Sequence, residues 1–149
     1  MIGDVVENFV LNDQYGKKFN LYDNLTNKVL LIFYPKDNSP VCSMQMNDYT
    51  KNLQIFEKNN ISLIGINSNS ENEHLNFCNN LRISFPLLVD SNKQVTKKFN
   101  ALTILGTTKR KLVLINTDRK IIFEKNTLSL FYLNTSKILD TLRAQGLIS

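Results

Sequence analysis

Two cysteines, Cys42 and Cys78, and a single histidine, His74, carry the most reactive chemistry in this chain of 149 residues. The cysteines lie 36 positions apart with no CxxC pair, and two thiols with one imidazole do not complete a four-ligand zinc site. A lone intracellular cysteine most often packs as a small hydrophobe. Cys42 differs by its context. It follows an apolar run, Val29 to Tyr34, and a loop punctuated by two prolines, Pro35-Lys36-Asp37-Asn38-Ser39-Pro40-Val41, and it falls where a helix should begin. Free N–H groups and the macrodipole at a helix N-terminus favour thiolate over thiol, and a thiolate is a nucleophile at neutral pH. Ser39, three residues upstream, can place a hydroxyl beside that sulfur, either to donate to it or to hold a substrate oxygen. A plain turn or capping serine is the equal alternative.

The elements that must position these groups follow from hydrophobic pattern. Asn8 to Leu11 and Phe19 to Leu21 flank the turn signal Asp13-Gln14-Tyr15-Gly16, which predicts an opening hairpin. Val29 to Tyr34 suits a central strand covered on both faces, and Pro35 ends it. Pro40 to Lys58 has Met44, Met46, Tyr49, Leu53 and Phe56 near helical spacing. Ile61 to Ile66 reads as a second buried strand. Ser68 to Ser70 offer caps for a helix over Glu71 to Leu81, whose Leu75, Cys78 and Leu81 share a face, so Cys78 points inward or sits at the edge of the buried stripe. Phe85 to Val89 predicts a short strand, Gln94 to Phe99 a short helix, and Leu112 to Ile115 a strand paired with Ile121 to Glu124 across Thr117-Asp118-Arg119. A last helix, Thr135 to Gln145, stops at Gly146. Hairpins and crossovers together imply an α/β fold with a mixed central sheet flanked by helices, in a single domain over residues 1–149.

Composition narrows the class. With 42% hydrophobic residues, only five glycines and three prolines, the chain is neither disordered, collagen-like nor cysteine-stapled. Its longest apolar run is far short of the roughly 20 residues of a membrane helix, and acidic Asp4 and Glu7 stand where a signal peptide would be basic, so no membrane association and a cytoplasmic location are expected. Net charge is +5, split into −3 over residues 1–75 and +8 over 76–149. The basic residues are scattered, without aromatic interleaving or a binding motif, so the expectation is a solvated lysine surface and no nucleic-acid partner.

Phe33-Tyr34-Pro35-Lys36-Asp37-Asn38-Ser39-Pro40-Val41-Cys42 resembles the Pro-xxx-Thr/Ser-xx-Cys active-site loop of the peroxiredoxins, and its FYPKD segment is similar to the group called bacterioferritin comigratory protein, or peroxiredoxin Q. The resemblance extends to Ile2-Gly3-Asp4 with the Phe9 to Gly16 hairpin, to Phe85-Pro86-Leu87-Leu88-Val89-Asp90, and to Lys109 to Asn116, which resembles the strand carrying the family's active-site arginine at the position of Arg110. Three positions depart from the family pattern: Val41 replaces a usual Gly, Gln45 a frequent Glu, and Leu112 a usual Thr.

The resemblance implies a thioredoxin-like fold with an N-terminal extension and reduction of hydrogen peroxide and organic hydroperoxides without a cofactor. By position it makes Cys42 the peroxidatic cysteine, Ser39 its hydroxyl neighbour, Pro35 the shield of the pocket and Arg110 the cation. Strand alternation supports the last role, because among Lys109, Arg110 and Lys111 one side chain must face opposite to its neighbours. The resemblance also implies a thioredoxin or similar dithiol reductant and a monomer, with Cys78 as resolving residue in a Cys42–Cys78 disulfide. A disulfide needs Cα atoms within about 7 Å, so cysteines on two helices would require local unwinding. The Asn and Ser residues near both helix starts suit that. An enzyme with an inert Cys78, resolved by an external thiol, remains the alternative, as does a thioredoxin-fold redox sensor without efficient turnover.

Overall fold

The computed structural model describes residues 1–149. In chain order the elements are β1 (Val10–Asn12), β2 (Lys18–Asn20), β3 (Lys28–Phe33), α1 (Pro40–Lys51), α2 (Leu53–Lys58), β4 (Ile61–Asn67), α3 (Glu71–Leu81), β5 (Leu87–Val89), α4 (Gln94–Lys98), β6 (Arg110–Ile115), β7 (Ile121–Thr127) and α5 (Thr135–Ala144). The strands form one sheet in the order β2-β1-β5-β4-β3-β6-β7. β3, β4 and β5 run parallel, β6 and β7 are antiparallel additions on one side, and the β1–β2 hairpin extends the other.

β3 is apolar throughout because both of its faces are covered. Leu30, Ile32 and the following Tyr34 join one core with Met46 and Tyr49 of α1, Phe56 of α2, Phe77 of α3 and Ile138 and Leu142 of α5. Val29, Leu31 and Phe33 join a second core with Val95 of α4, Phe99, Val6 and Leu25. This period-two division is what an unbroken apolar strand at the centre of a two-sided sheet requires. Cys42 and Cys78 both belong to the first core, so the sheet places them on one face.

The structure differs from the sequence reading at several boundaries, each for a local reason. The predicted helix over Pro40 to Lys58 is two helices, broken at Asn52, whose side-chain amide donates to the Asp48 carbonyl oxygen (2.8 Å) and carboxylate (2.9 Å) and so competes with the helical ladder. The strand expected from Phe85 begins only at Leu87, because Pro86 offers no N–H to a ladder. β6 begins two residues earlier than expected, at Arg110, and this extension carries the arginine into the sheet. Helix α3 starts as predicted at a capping box, in which Ser70 Oγ accepts from the Glu73 N–H and the Glu73 carboxylate accepts from the Ser70 N–H. Cys78 therefore lies near the C-terminal end of α3, not near its start, and Arg82 in the left-handed conformation (φ 56°) terminates the helix beyond it. No helix is long and apolar enough to cross a membrane.

Candidate active site

Cys42 sits in the first turn of α1, directly after the loop that leaves β3. Pro40 occupies the first helical position, where its missing N–H costs nothing. Ser43 N–H is the first to find a backbone acceptor across the turn, the Ser39 carbonyl oxygen at 2.8 Å. The N–H groups of Val41 and Cys42 are left for other acceptors, as the first turn of any helix requires. The cysteine itself is fully buried.

Arg110 reaches this sulfur from the head of β6. The β3–β6 register pairs Phe33 with Lys111, so Arg110 lies across from the point where β3 turns into the Pro35 loop. Alternation sends Lys111 to the opposite face, where its ammonium donates to the Phe99 carbonyl oxygen (2.7 Å) and pairs with Glu124 (3.3 Å). Arg110 points to the Cys42 face. One terminal nitrogen, Nη2, lies 3.3 Å from Cys42 Sγ and donates to the Ser129 carbonyl oxygen at 2.9 Å. The other, Nη1, donates to Gln45 Oε1 at 2.6 Å, and the Gln45 amide donates in turn to Tyr49 OH at 3.1 Å. Tyr49 OH donates onward to the Leu133 carbonyl oxygen at 2.6 Å. No carboxylate contacts the guanidinium, so its charge faces the sulfur uncompensated. Burial pushes the Tyr49 phenol up, which keeps this relay donor protonated.

The other residues expected at the site make no hydrogen bond to the Cys42 sulfur or to Arg110. Ser39 Oγ donates to the Lys36 carbonyl oxygen at 3.0 Å, closing the loop upon itself, and its hydrogen bond is to that backbone and not to the sulfur. Pro35 bounds a cleft of about 370 Å³ together with Thr108, Arg110 and Ser129. Cys78 is buried and free, like Cys42. Its thiol donates to the Ile83 carbonyl oxygen at 2.8 Å, and two residues of the opening hairpin turn close over it, Gln14 Nε2 and Tyr15 OH, each 3.7 Å from the sulfur. The hydrogen bond to Cys78 pushes the exposed Tyr15 phenol up.

Sequence reasoning missed a second polar cluster beside the site. Asp37, from the loop before Cys42, pairs with His74 of α3, and Tyr34 and Asn67 join it. The one available signal was an aspartate and a lone histidine in two segments already tied to the cysteines, but spacing alone does not pair residues 37 positions apart.

A model of the AhpC/TSA family matches residues 2–124. The chain belongs to the AhpC/TSA family. A putative peroxiredoxin bcp of Helicobacter pylori is 32% identical over 100 residues, which span 67% of this chain and 66% of that protein. The crystal structure of peroxidoxin BcpB from Mycobacterium tuberculosis is similar over 96% of each chain, with a TM-score of 0.86 and 31% identity. That of a PrxQ mutant from Xylella fastidiosa is similar over 98% of this chain and 97% of its own, with a TM-score of 0.87 and 25% identity. The fold is thus the thioredoxin-like fold of peroxiredoxins, as expected from the sequence. The matched stretch spans less than two thirds of the length of several curated peroxiredoxin relatives. Within the AhpC/TSA match lie Cys42, Cys78 and Arg110, whereas Ser129, which holds the arginine from its far side, and α5 lie beyond it.

Proposed function

We propose that this chain is a thiol peroxidase that reduces hydrogen peroxide and organic hydroperoxides through Cys42. The observation that carries the reading is the Arg110 guanidinium 3.3 Å from the Cys42 sulfur, with no carboxylate on it. In the reaction the Cys42 thiolate attacks one peroxide oxygen. An S–O bond forms, the O–O bond breaks, and the second oxygen departs as hydroxide or alkoxide and takes up a proton. Cys42 becomes a sulfenic acid. Negative charge moves from sulfur to the departing oxygen, and donors already aimed there stabilise the transition state more than the ground state. Arg110 and the N–H groups of Val41 and Cys42 supply them. Ser39 joins when its hydroxyl turns from the Lys36 carbonyl to the substrate. Pro35 lines the cleft beside Arg110, and the resemblance gives it the role of keeping water from the pocket.

Cys78 then attacks the sulfenic sulfur, releasing water and leaving a Cys42–Cys78 disulfide. The disulfide spares Cys42 the irreversible sulfinic stage to which a second peroxide would take the sulfenic acid, and a thioredoxin or similar dithiol reduces it back to both thiols. A resolving cysteine within one chain allows the monomer to turn over alone, and a reducing compartment such as the cytoplasm suits two free thiols. The enclosure of Cys78 by Ile83, Gln14 and Tyr15 favours one second reading, an enzyme resolved by an external thiol.

The test is peroxide consumption in the presence of a dithiol. Wild type turns over and Cys42→Ser does not; full activity in Cys42→Ser excludes the assignment. Mass spectrometry of the oxidised wild type separates the two resolving modes. Loss of two hydrogens supports Cys78, and two cysteines that stay free or reach only the sulfinic stage exclude it.

A further inference from the structure

The Asp37–His74 pair takes no part in the chemistry above, yet both side chains are removed almost completely from water. Asp37 Oδ1 accepts from Tyr34 OH (2.6 Å) and Asn67 Nδ2 (3.1 Å), and Oδ2 faces His74 Nδ1 at 2.5 Å. His74 Nε2 lies 2.8 Å from the Leu88 carbonyl oxygen. A carbonyl only accepts, so Nε2 carries a hydrogen, and one further proton lies between Nδ1 and Oδ2. Every polar atom of the pair is satisfied, the condition under which a buried network rigidifies its surroundings.

The pair joins the two segments that carry the cysteines. Asp37 lies five residues before Cys42, and His74 lies one helical turn before Cys78 on the same face of α3. Two further bonds run the same way. The Asp37 N–H donates to Asn69 Oδ1 at 2.8 Å, and Asn80 Nδ2 donates to Asn38 Oδ1 at 3.2 Å. Asn38 takes the left-handed conformation (φ 62°) that bends the chain toward Ser39 and α1. The loop is thus tied to β4 and α3 on one side, while Cys42 meets Arg110 on the other.

We propose that Asp37 and His74 are positioning residues: through the proton they share, they fix the loop before Cys42 against α3 and so set the Cys42 sulfur against Arg110. The inference rests on the peroxidase reading. A misplacement of about 1 Å can cost 100-fold in rate, so a loose loop slows peroxide reduction without removing any group that touches peroxide.

The test uses the full chain in a Cys78→Ser background, where oxidation stops at Cys42. Asp37→Asn keeps the contacts, since its amide oxygen accepts from Tyr34 and Asn67 and its NH2 donates to Nδ1 of a neutral imidazole. Asp37→Ala and His74→Ala break them. The two alanine variants are expected to lose about tenfold to 100-fold in the second-order constant for hydrogen peroxide, while alkylation of Cys42 by iodoacetamide becomes faster because the loop opens. Asp37→Asn recovers most of the peroxide rate. Alanine variants that react at the parent rate, or an Asp37→Asn variant as slow as Asp37→Ala, overturn the proposal. Nitrogen-15 NMR of His74 in the reduced parent gives an independent readout. A low-field proton resonance on Nδ1 that vanishes in Asp37→Ala supports the pair, and its absence overturns it whatever the peroxide rate. That resonance in a parent inert to peroxide sinks the peroxidase reading, and the positioning role falls with it.

Discussion

Gln45 holds Arg110. Its amide oxygen takes the Nη1 hydrogen at 2.6 Å, one helical turn after Cys42, so the helix that presents the sulfur also orients the cation that faces it. A neutral glutamine there supplies the geometric restraint and leaves the guanidinium charge unshared. Cys42 and Gln45 project from one helix, and Arg110 closes the triangle from β6.

Gln45→Leu removes the acceptor while keeping bulk. Arg110 Nη1 and Tyr49 OH both lose a partner. The expected result is a stability loss of about 1–3 kcal/mol in denaturant unfolding, with a drop of roughly tenfold in peroxide oxidation of Cys42 as the guanidinium, held by Ser129 alone, loses its alignment with the sulfur. An unchanged rate would show that Arg110 needs no restraint from α1.

Arg110→Met keeps length and removes charge and donors. Loss of one preorganised donor to a developing oxyanion costs about 100- to 1,000-fold, and stopped-flow oxidation by hydrogen peroxide should show a fall in that range. Arg110→Lys should recover only part of it, because an ammonium cannot hold Gln45, Ser129 and the sulfur in one plane.

Gly65 lies under Tyr34. A Cβ there would stand 2.7 Å from Leu87 Cδ2, 3.1 Å from Met46 Cε and 3.2 Å from Tyr34 Cε1. Gly65→Ala should therefore overpack the core by about 1–3 kcal/mol. Thermal unfolding checks this; a melting temperature equal to wild type would mean that Leu87 and Met46 move aside freely.

Two buried phenols set the alkaline limit. Burial is the main cause that pushes both Tyr34 and Tyr49 above the ordinary value of 10.0, with the Asp37 carboxylate adding to Tyr34 and the Asp48 carboxylate to Tyr49. In the folded chain both stay protonated where the unfolded chain would ionise. The stability they contribute is thus fully present below about pH 10 and is lost as pH rises toward their folded values. Stability measured by denaturant from pH 8 to 11 should fall more steeply for wild type than for Tyr34→Phe or Tyr49→Phe. Equal slopes would place both hydroxyls in contact with water.

Much of this was legible in the chain because it is encoded locally. The unbroken run before Pro35 marks a strand buried on two faces, and the prolines and Ser39 mark the turn into a helix that opens near Cys42. Ser68 to Ser70 mark the start of α3. What could not be read depends on meetings across the sheet. Nothing local pairs Asp37 with His74, or brings Gln14 and Tyr15 of the hairpin over Cys78. Ser39 is a local ambiguity instead: its spacing from Cys42 allows a bond to sulfur, and spacing alone does not choose between that and the Lys36 carbonyl three residues back, which the folded loop uses. The contact of Arg110 with Cys42 spans 68 positions; strand alternation shows only that one of Lys109, Arg110 and Lys111 faces opposite to its neighbours, and the family resemblance supplies the rest.

The most direct measurement is the identity of the residue that one equivalent of hydrogen peroxide oxidises first, read by trapping sulfenic acid with dimedone in the Cys78→Ser protein and sequencing the labelled peptide by mass spectrometry. A single adduct is expected, on Cys42, formed quickly and much more slowly when Arg110 is replaced by methionine. Peroxide left unconsumed with Cys42 unlabelled would contradict it.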